Sequence, residues 1–103
     1  MIFIMFTRLI GKEVHPSNHS LKELKDKVTN EIAKACPQVK WISNYALLGE
    51  KDYLDIFTAP DLENAMKVGK IVRHMGHAST EIFPAIEWKR FEELMVKLPD
   101  EKR

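Results

Sequence analysis

Asp55 stands inside an apolar run, Tyr53-Leu54-Asp55-Ile56-Phe57-Thr58. A carboxylate held among aromatic and aliphatic side chains loses water and gains proton affinity. That suits it to take or hold a proton at neutral pH. Glu81 is set similarly in Ser79-Thr80-Glu81-Ile82-Phe83, and Tyr45 adds a phenolic hydroxyl. Asp55, Glu81 and Tyr45 are therefore the candidate catalytic residues. Trp41, Ser43, Tyr53 and Phe57 are the candidate walls of a small-molecule site, since they mix flat apolar surface with hydroxyl groups. The plainer reading places Asp55 and Glu81 at the rim of a subunit interface, or pairs them across it with each other's neighbours and Arg8.

Other chemistry is thinly represented. His15 and His19 are four residues apart, and His74 and His77 three, spacings that metal ligands use. Neither pair has a cysteine pair or acidic ligand beside it, so surface histidines are expected and no metal. Cys36 precedes Pro37 at a helix C-terminus, where the dipole opposes the thiolate that a nucleophile needs. Packing is its expected role. Gly11-Lys12 is too isolated to be a phosphate loop. No cofactor is expected.

These residues need elements to position them. The chain has 103 residues, enough for a single domain spanning 1–103. A net charge of +1, with acids and bases interleaved at Lys22, Glu23, Lys25, Asp26 and Lys27, argues against nucleic acid as a partner. The apolar start, MIFIMFTRLI, is too short to span a membrane and lacks the flanks of a signal peptide. One cysteine permits no intrachain disulfide, so a cytoplasmic setting is expected.

Residues 2–7 are strand formers, apolar on both alternating sets. A loop is expected over 11–19. Ser20 and Glu23 then form a capping-box pattern ahead of a stripe of Leu21, Leu24, Val28, Ile32 and Ala35, ended by Pro37. Strands follow at 39–48 and 53–59, joined by a turn at 49–52. Asp61 caps a second helix with Leu62, Ala65, Met66, Gly69 and Val72 on one face and Gly76 at its end. A fourth strand covers 78–86, with Pro84 marking an edge. A terminal helix covers 87–97, and 98–103 is a polar tail expected to fray. The order βαββαβ plus a helix predicts an α+β, ferredoxin-like fold.

Two helices cover one face of such a sheet. Sorting alternate residues puts Leu54, Ile56 and Thr58 toward the helices. The bare face then carries Trp41, Ser43, Tyr45, Tyr53, Asp55, Phe57, Ser79, Glu81 and Phe83, with Phe3, Met5 and Thr7 from the first strand. So much exposed aromatic surface exceeds what a monomer carries, which predicts a homodimer through this face.

The segment LLGEKDYLDIFTAPDLENA, followed by STEIFPAI, resembles the GYD-domain family. Gly49, Asp52, Ala59, Pro60 and Asp61 match its turn and helix start, Thr80-Glu81 its closing strand, and Lys51 stands where the motif has tyrosine. The resemblance implies a dimeric α/β-barrel arrangement and brings no established reaction. It also gives Gly49 and Asp52 a structural reading as builders of the hairpin turn. The turn is similar, too, to one in the ligand-binding domain of leucine-responsive/AsnC-type regulators, which add a DNA-reading helix-turn-helix that this chain has no room for. The expected function is a homo-oligomeric small-molecule-binding or regulatory module whose possible ligand is a small metabolite. The alternatives are a cofactor-independent oxygenase or isomerase using an inter-sheet cavity, and a structural module docking through Trp88, Phe91 and Met95.

Overall fold

A computed structural model describes residues 1–10 and 18–100, with side chains described for 1–10 and 21–100. Four strands and three helices follow in the order β1 (Ile2–Leu9), α1 (Asn18–Ala35), β2 (Lys40–Ala46), β3 (Tyr53–Thr58), α2 (Leu62–Met75), β4 (Ala78–Ala85) and α3 (Trp88–Lys97). The strands form one antiparallel sheet, β2-β3-β1-β4. This is the α+β class predicted, in an order compatible with a ferredoxin-like domain. The loop expected at 11–19, with His15, falls mostly outside the described residues. Helix α1 begins at Asn18, so Ser20 lies inside it instead of capping it.

The helix ends follow local chemistry. Asp61 Oδ1 accepts the Asn64 backbone N–H at 2.9 Å and its side-chain amide at 2.8 Å, as an N-cap should. Those bonds favour the ionised carboxyl and hold Asp61 below its ordinary range. At the other end of α2, Gly76 donates its N–H to the Val72 carbonyl at 2.8 Å. A Cβ on Gly76 would stand 2.5 Å from that carbonyl oxygen, so the close return of the chain requires glycine. The left-handed residue of this turn is His77, with φ 50°. Gly69 lets α2 approach the sheet, because a Cβ there would meet Ile82 Cδ1 at 2.8 Å. Met66, placed by its spacing on the buried face of α2, is exposed, and the buried residues of that helix are Ala65, Val68 and Gly69.

The core corrects the face assignment. Phe3, Met5 and Phe57 are fully buried beneath the helices, with Ile32, Cys36 and Val68. Phe57 stacks on Phe3 at 5.5 Å between ring centroids and tilts against Trp41 at 5.4 Å. Phe3 pairs with Phe57, Met5 with Asp55 and Thr7 with Tyr53. The whole set Phe3, Met5, Thr7, Tyr53, Asp55 and Phe57 therefore faces the helices, opposite to expectation. A one-residue choice of register inverts every side chain of a strand. Both alternate sets of β1 and β3 are apolar, so hydropathy alone could not break the tie. A bulge between Trp41 and Ser43 adds to the inversion. It leaves Trp41 opposite Phe57 on the helix side, while Ser43 and Tyr45 pair with Ile56 and Leu54 on the other.

The helix-free face still is apolar, with a different membership. Ile2, Ile4 and Phe6 of β1 lie beside Leu54 and Ile56 of β3. Phe83 of β4 meets Phe6 edge-on at 6.2 Å. Lys51 and Glu81 form an ion pair. The strand β4 is an edge, which accommodates Pro84. Helix α3 buries none of its residues. The radius of gyration is 16.7 Å, against about 13 Å for a closed domain of this length.

Candidate functional site

Helix α1 covers the sheet unevenly. Toward its C-terminus Ile32 is buried in the core, and Cys36 beyond it lies 3.9 Å from the Asn64 carbonyl that its thiol faces. Toward its N-terminus Leu21, Leu24 and Val28 are only half-buried. Between this half of α1 and the sheet lies a cavity of about 490 Å³, within the range of small-ligand sites. Its apolar wall comes from Met5, Leu9 and Trp41 on the sheet and from Leu24 and Val28 on the helix.

The polar groups of the cavity come from three adjacent strands. Asn44 Nδ2 donates to Asp55 Oδ1 at 2.6 Å. Burial pushes the Asp55 carboxyl above its ordinary range, opposed by that hydrogen bond and by the Lys25 ammonium on α1. Burial also raises the Tyr53 hydroxyl, helped by the charges of Asp52 and Asp55, so Tyr53 stays protonated and able to donate. Thr7 is 3% exposed, and its Oγ1 has no hydrogen-bond partner among the described residues. Lys22 and Lys25 stand on the helix side of the same cavity, and Lys22 Nζ lies 3.3 Å from Asp26 Oδ2.

The turn of residues 49–52 braces this floor. Asp52 Oδ2 accepts the Leu9 N–H at 2.7 Å, while the Asp52 N–H donates to the Thr7 carbonyl at 2.8 Å. Asp52 thus ties the hairpin to the end of β1, a longer reach than the local capping expected of it. Gly49 supplies the positive φ expected of it, 159°, a backbone conformation that side-chain-bearing residues rarely adopt, while the space where a Cβ would stand is open.

The candidate site residues are divided by the sheet. Asp55, Tyr53 and Trp41 meet in the cavity beneath α1. Phe57 is sealed in the core behind it. Glu81 is on the opposite face, paired with Lys51, so it shares no site with Asp55. Ser43 also takes that face, and Tyr45, 55% exposed, borders the cavity at the sheet edge. Sequence reasoning missed Asn44 and the lysines of α1. Asn44 sits beside the bulge that sets its face, and the lysines read as an ordinary solvated stripe. Among the described residues, no group of three or more His, Cys, Asp or Glu is gathered as a metal site would need. No helix among them is long and apolar enough to cross a membrane.

A desolvated carboxylate weakens the fold that holds it. The folded carboxyl of Asp55 lies above its unfolded value, so its ionisation costs stability. The cost is absent below the unfolded value, grows as pH rises through the interval to the folded value, and is complete above it. Asp55→Asn keeps an oxygen for Asn44 and removes the charge. It is expected to raise the urea midpoint at pH 7 and to match the parent protein near pH 3. A lower midpoint at pH 7 would show that the carboxylate is well solvated or well paired.

The fold and cavity define a small α+β domain with an antiparallel sheet and a mainly apolar cavity beneath its first helix. The family model of the GYD domain matches residues 3–95, and the chain belongs to that family. No curated protein matches it.

Proposed function

We propose that this protein is a homo-oligomeric small-molecule-binding module, with one ligand chamber per subunit beneath α1. The observation that carries this reading is the cavity itself, where a half-buried carboxylate and an unpartnered, buried hydroxyl share a mainly apolar, half-open pocket. Unmet hydrogen-bonding capacity in such a place costs stability, and a ligand's polar group would supply the missing partner. The oligomer, a dimer of α/β-barrel type, joins the helix-free faces through Ile4, Phe6, Leu54, Ile56 and Phe83. Contiguous apolar surface of that extent is uncommon on a monomer. The lone, buried Cys36 suits a reducing compartment, and the cytoplasm is the setting proposed. Nucleic acid and membrane surfaces have no part in this reading.

A second reading is favoured by the raised proton affinity of Asp55 beside Tyr53. In it the same chamber, in place of one between sheets, hosts cofactor-independent proton chemistry of isomerase or oxygenase type with Asp55 as the base. Native mass spectrometry of the protein as purified tests the first reading. The expected result is a multiple of the 12.0 kDa subunit, carrying a small additional mass. A bare 12.0 kDa monomer at tens of micromolar would overturn it.

A further inference from the structure

The chamber's charges constrain what can enter it. Its floor offers one strong acceptor, the carboxylate of Asp55, with Oδ1 already taking the Asn44 amide. Two hydroxyl donors stand beside it. Thr7 and Tyr53 are directly opposite each other across β1 and β3, and Asp55 is the next residue along the same face of β3. The opposing wall on α1 carries Lys22 and Lys25.

Each class of polar group can be weighed against this arrangement. An ammonium group would pair with Asp55 and could donate to the hydroxyl oxygens, but it would be repelled by Lys25, whose charge already acts on Asp55. A carboxylate would suit the hydroxyls and Lys25 but would stand against Asp55. A carbonyl would accept from Thr7 and Tyr53 and leave Asp55 without a new donor. Of these four groups only a hydroxyl both donates and accepts, so it satisfies acceptor and donors together without adding charge. The surrounding Met5, Leu9, Leu24, Val28 and Trp41 require the rest of the molecule to be apolar and broad enough to fill the space.

We infer that the chamber takes an uncharged ligand with an apolar ring body and a hydroxyl group, seated with that hydroxyl among Asp55, Tyr53 and Thr7. This inference rests on the chamber being the ligand site. Thr7 is its specificity residue, because its buried Oγ1 has no partner within the protein and gains one from the ligand's oxygen. The raised proton affinity of Tyr53 keeps its donor in place throughout the neutral range.

Four matched probes test it on the full chain: 2-naphthol, 2-naphthoate, 2-naphthylmethylammonium and naphthalene. Binding is read from nitrogen-15 amide shifts of Thr7, Tyr53 and Asp55, which locate each probe and yield its affinity. Naphthol is expected to bind about tenfold or more tighter than the other three, the equivalent of one well-made buried hydrogen bond. Thr7→Val keeps the side-chain shape and is expected to weaken naphthol binding severalfold while leaving that of naphthalene unchanged. Thr7→Ser is expected to restore it. The dispersion of the spectra reports whether each variant is folded. A charged probe binding most tightly at the same amides would overturn the hydroxyl assignment and leave the chamber as the ligand site. Equal binding of naphthol and naphthalene would do the same. If no probe shifts these amides, the chamber reading and the ligand class fall together.

Discussion

If the proposed dimer joins the helix-free faces, Ile56→Asp is expected to yield a folded monomer. Ile56 pairs with Ile4 on one side and Ser43 on the other, at the middle of the helix-free face. A two-fold interface would bring the new carboxylate close to its own copy and bury both away from water. Like charges opposed in an interface cost several kcal/mol, so the association constant should fall by on the order of a thousandfold. Sedimentation velocity at tens of micromolar measures the change, and far-ultraviolet circular dichroism confirms that the sheet persists. An unchanged oligomer in the variant would place the interface elsewhere, with the exposed stripe of α3 the next surface to test.

Phe57→Ala is expected to have the largest effect on the fold. The ring is 0% exposed and is wedged between Phe3 and Trp41. Its removal leaves a cavity in a core that has few other large side chains. Truncations of this kind cost about 3–5 kcal/mol. A domain of this size has about 5–15 kcal/mol in total, so the variant should be largely unfolded at modest urea. Urea denaturation followed by Trp41 fluorescence in a Trp88→Phe background gives the number. This substitution also discriminates between the two faces of the sheet. On the helix-free face, Phe57→Ala would weaken association and leave the subunit stable. A loss below about 1.5 kcal/mol, accompanied by dissociation, would therefore return Phe57 to the face first expected of it.

Local chemistry was readable where a few neighbouring residues decide it. The order of elements follows from short-range signals. Asp61 accepts the Asn64 amide because a capping residue acts within three positions. Pro84 falls on an edge strand because it has no N–H to donate. The GYD family was legible in Gly49, Asp52 and Ala59-Pro60-Asp61, and the family match over residues 3–95 agrees. The presence of an odd carboxylate in an apolar strand was also plain, and burial does push the Asp55 carboxyl above its ordinary range.

The location of that chemistry was not readable. In β1 and β3 both alternate sets are apolar, so the period of two identifies a strand without saying which side meets the helices. The decision comes from Phe3, Phe57 and Trp41 packing together under α1 and α2, and from the bulge between Trp41 and Ser43. Those contacts join residues far apart in the chain. They move Asp55 from a supposed interface into a chamber and separate it from Glu81. They also bring Thr7, Asn44 and Lys25 to it from three other segments. The sequence by itself determined the elements, their order, and which residues were chemically unusual. Tertiary structure alone decided which face β1 and β3 turned inward, because both of their alternate sets are apolar and the choice is set by packing between distant segments.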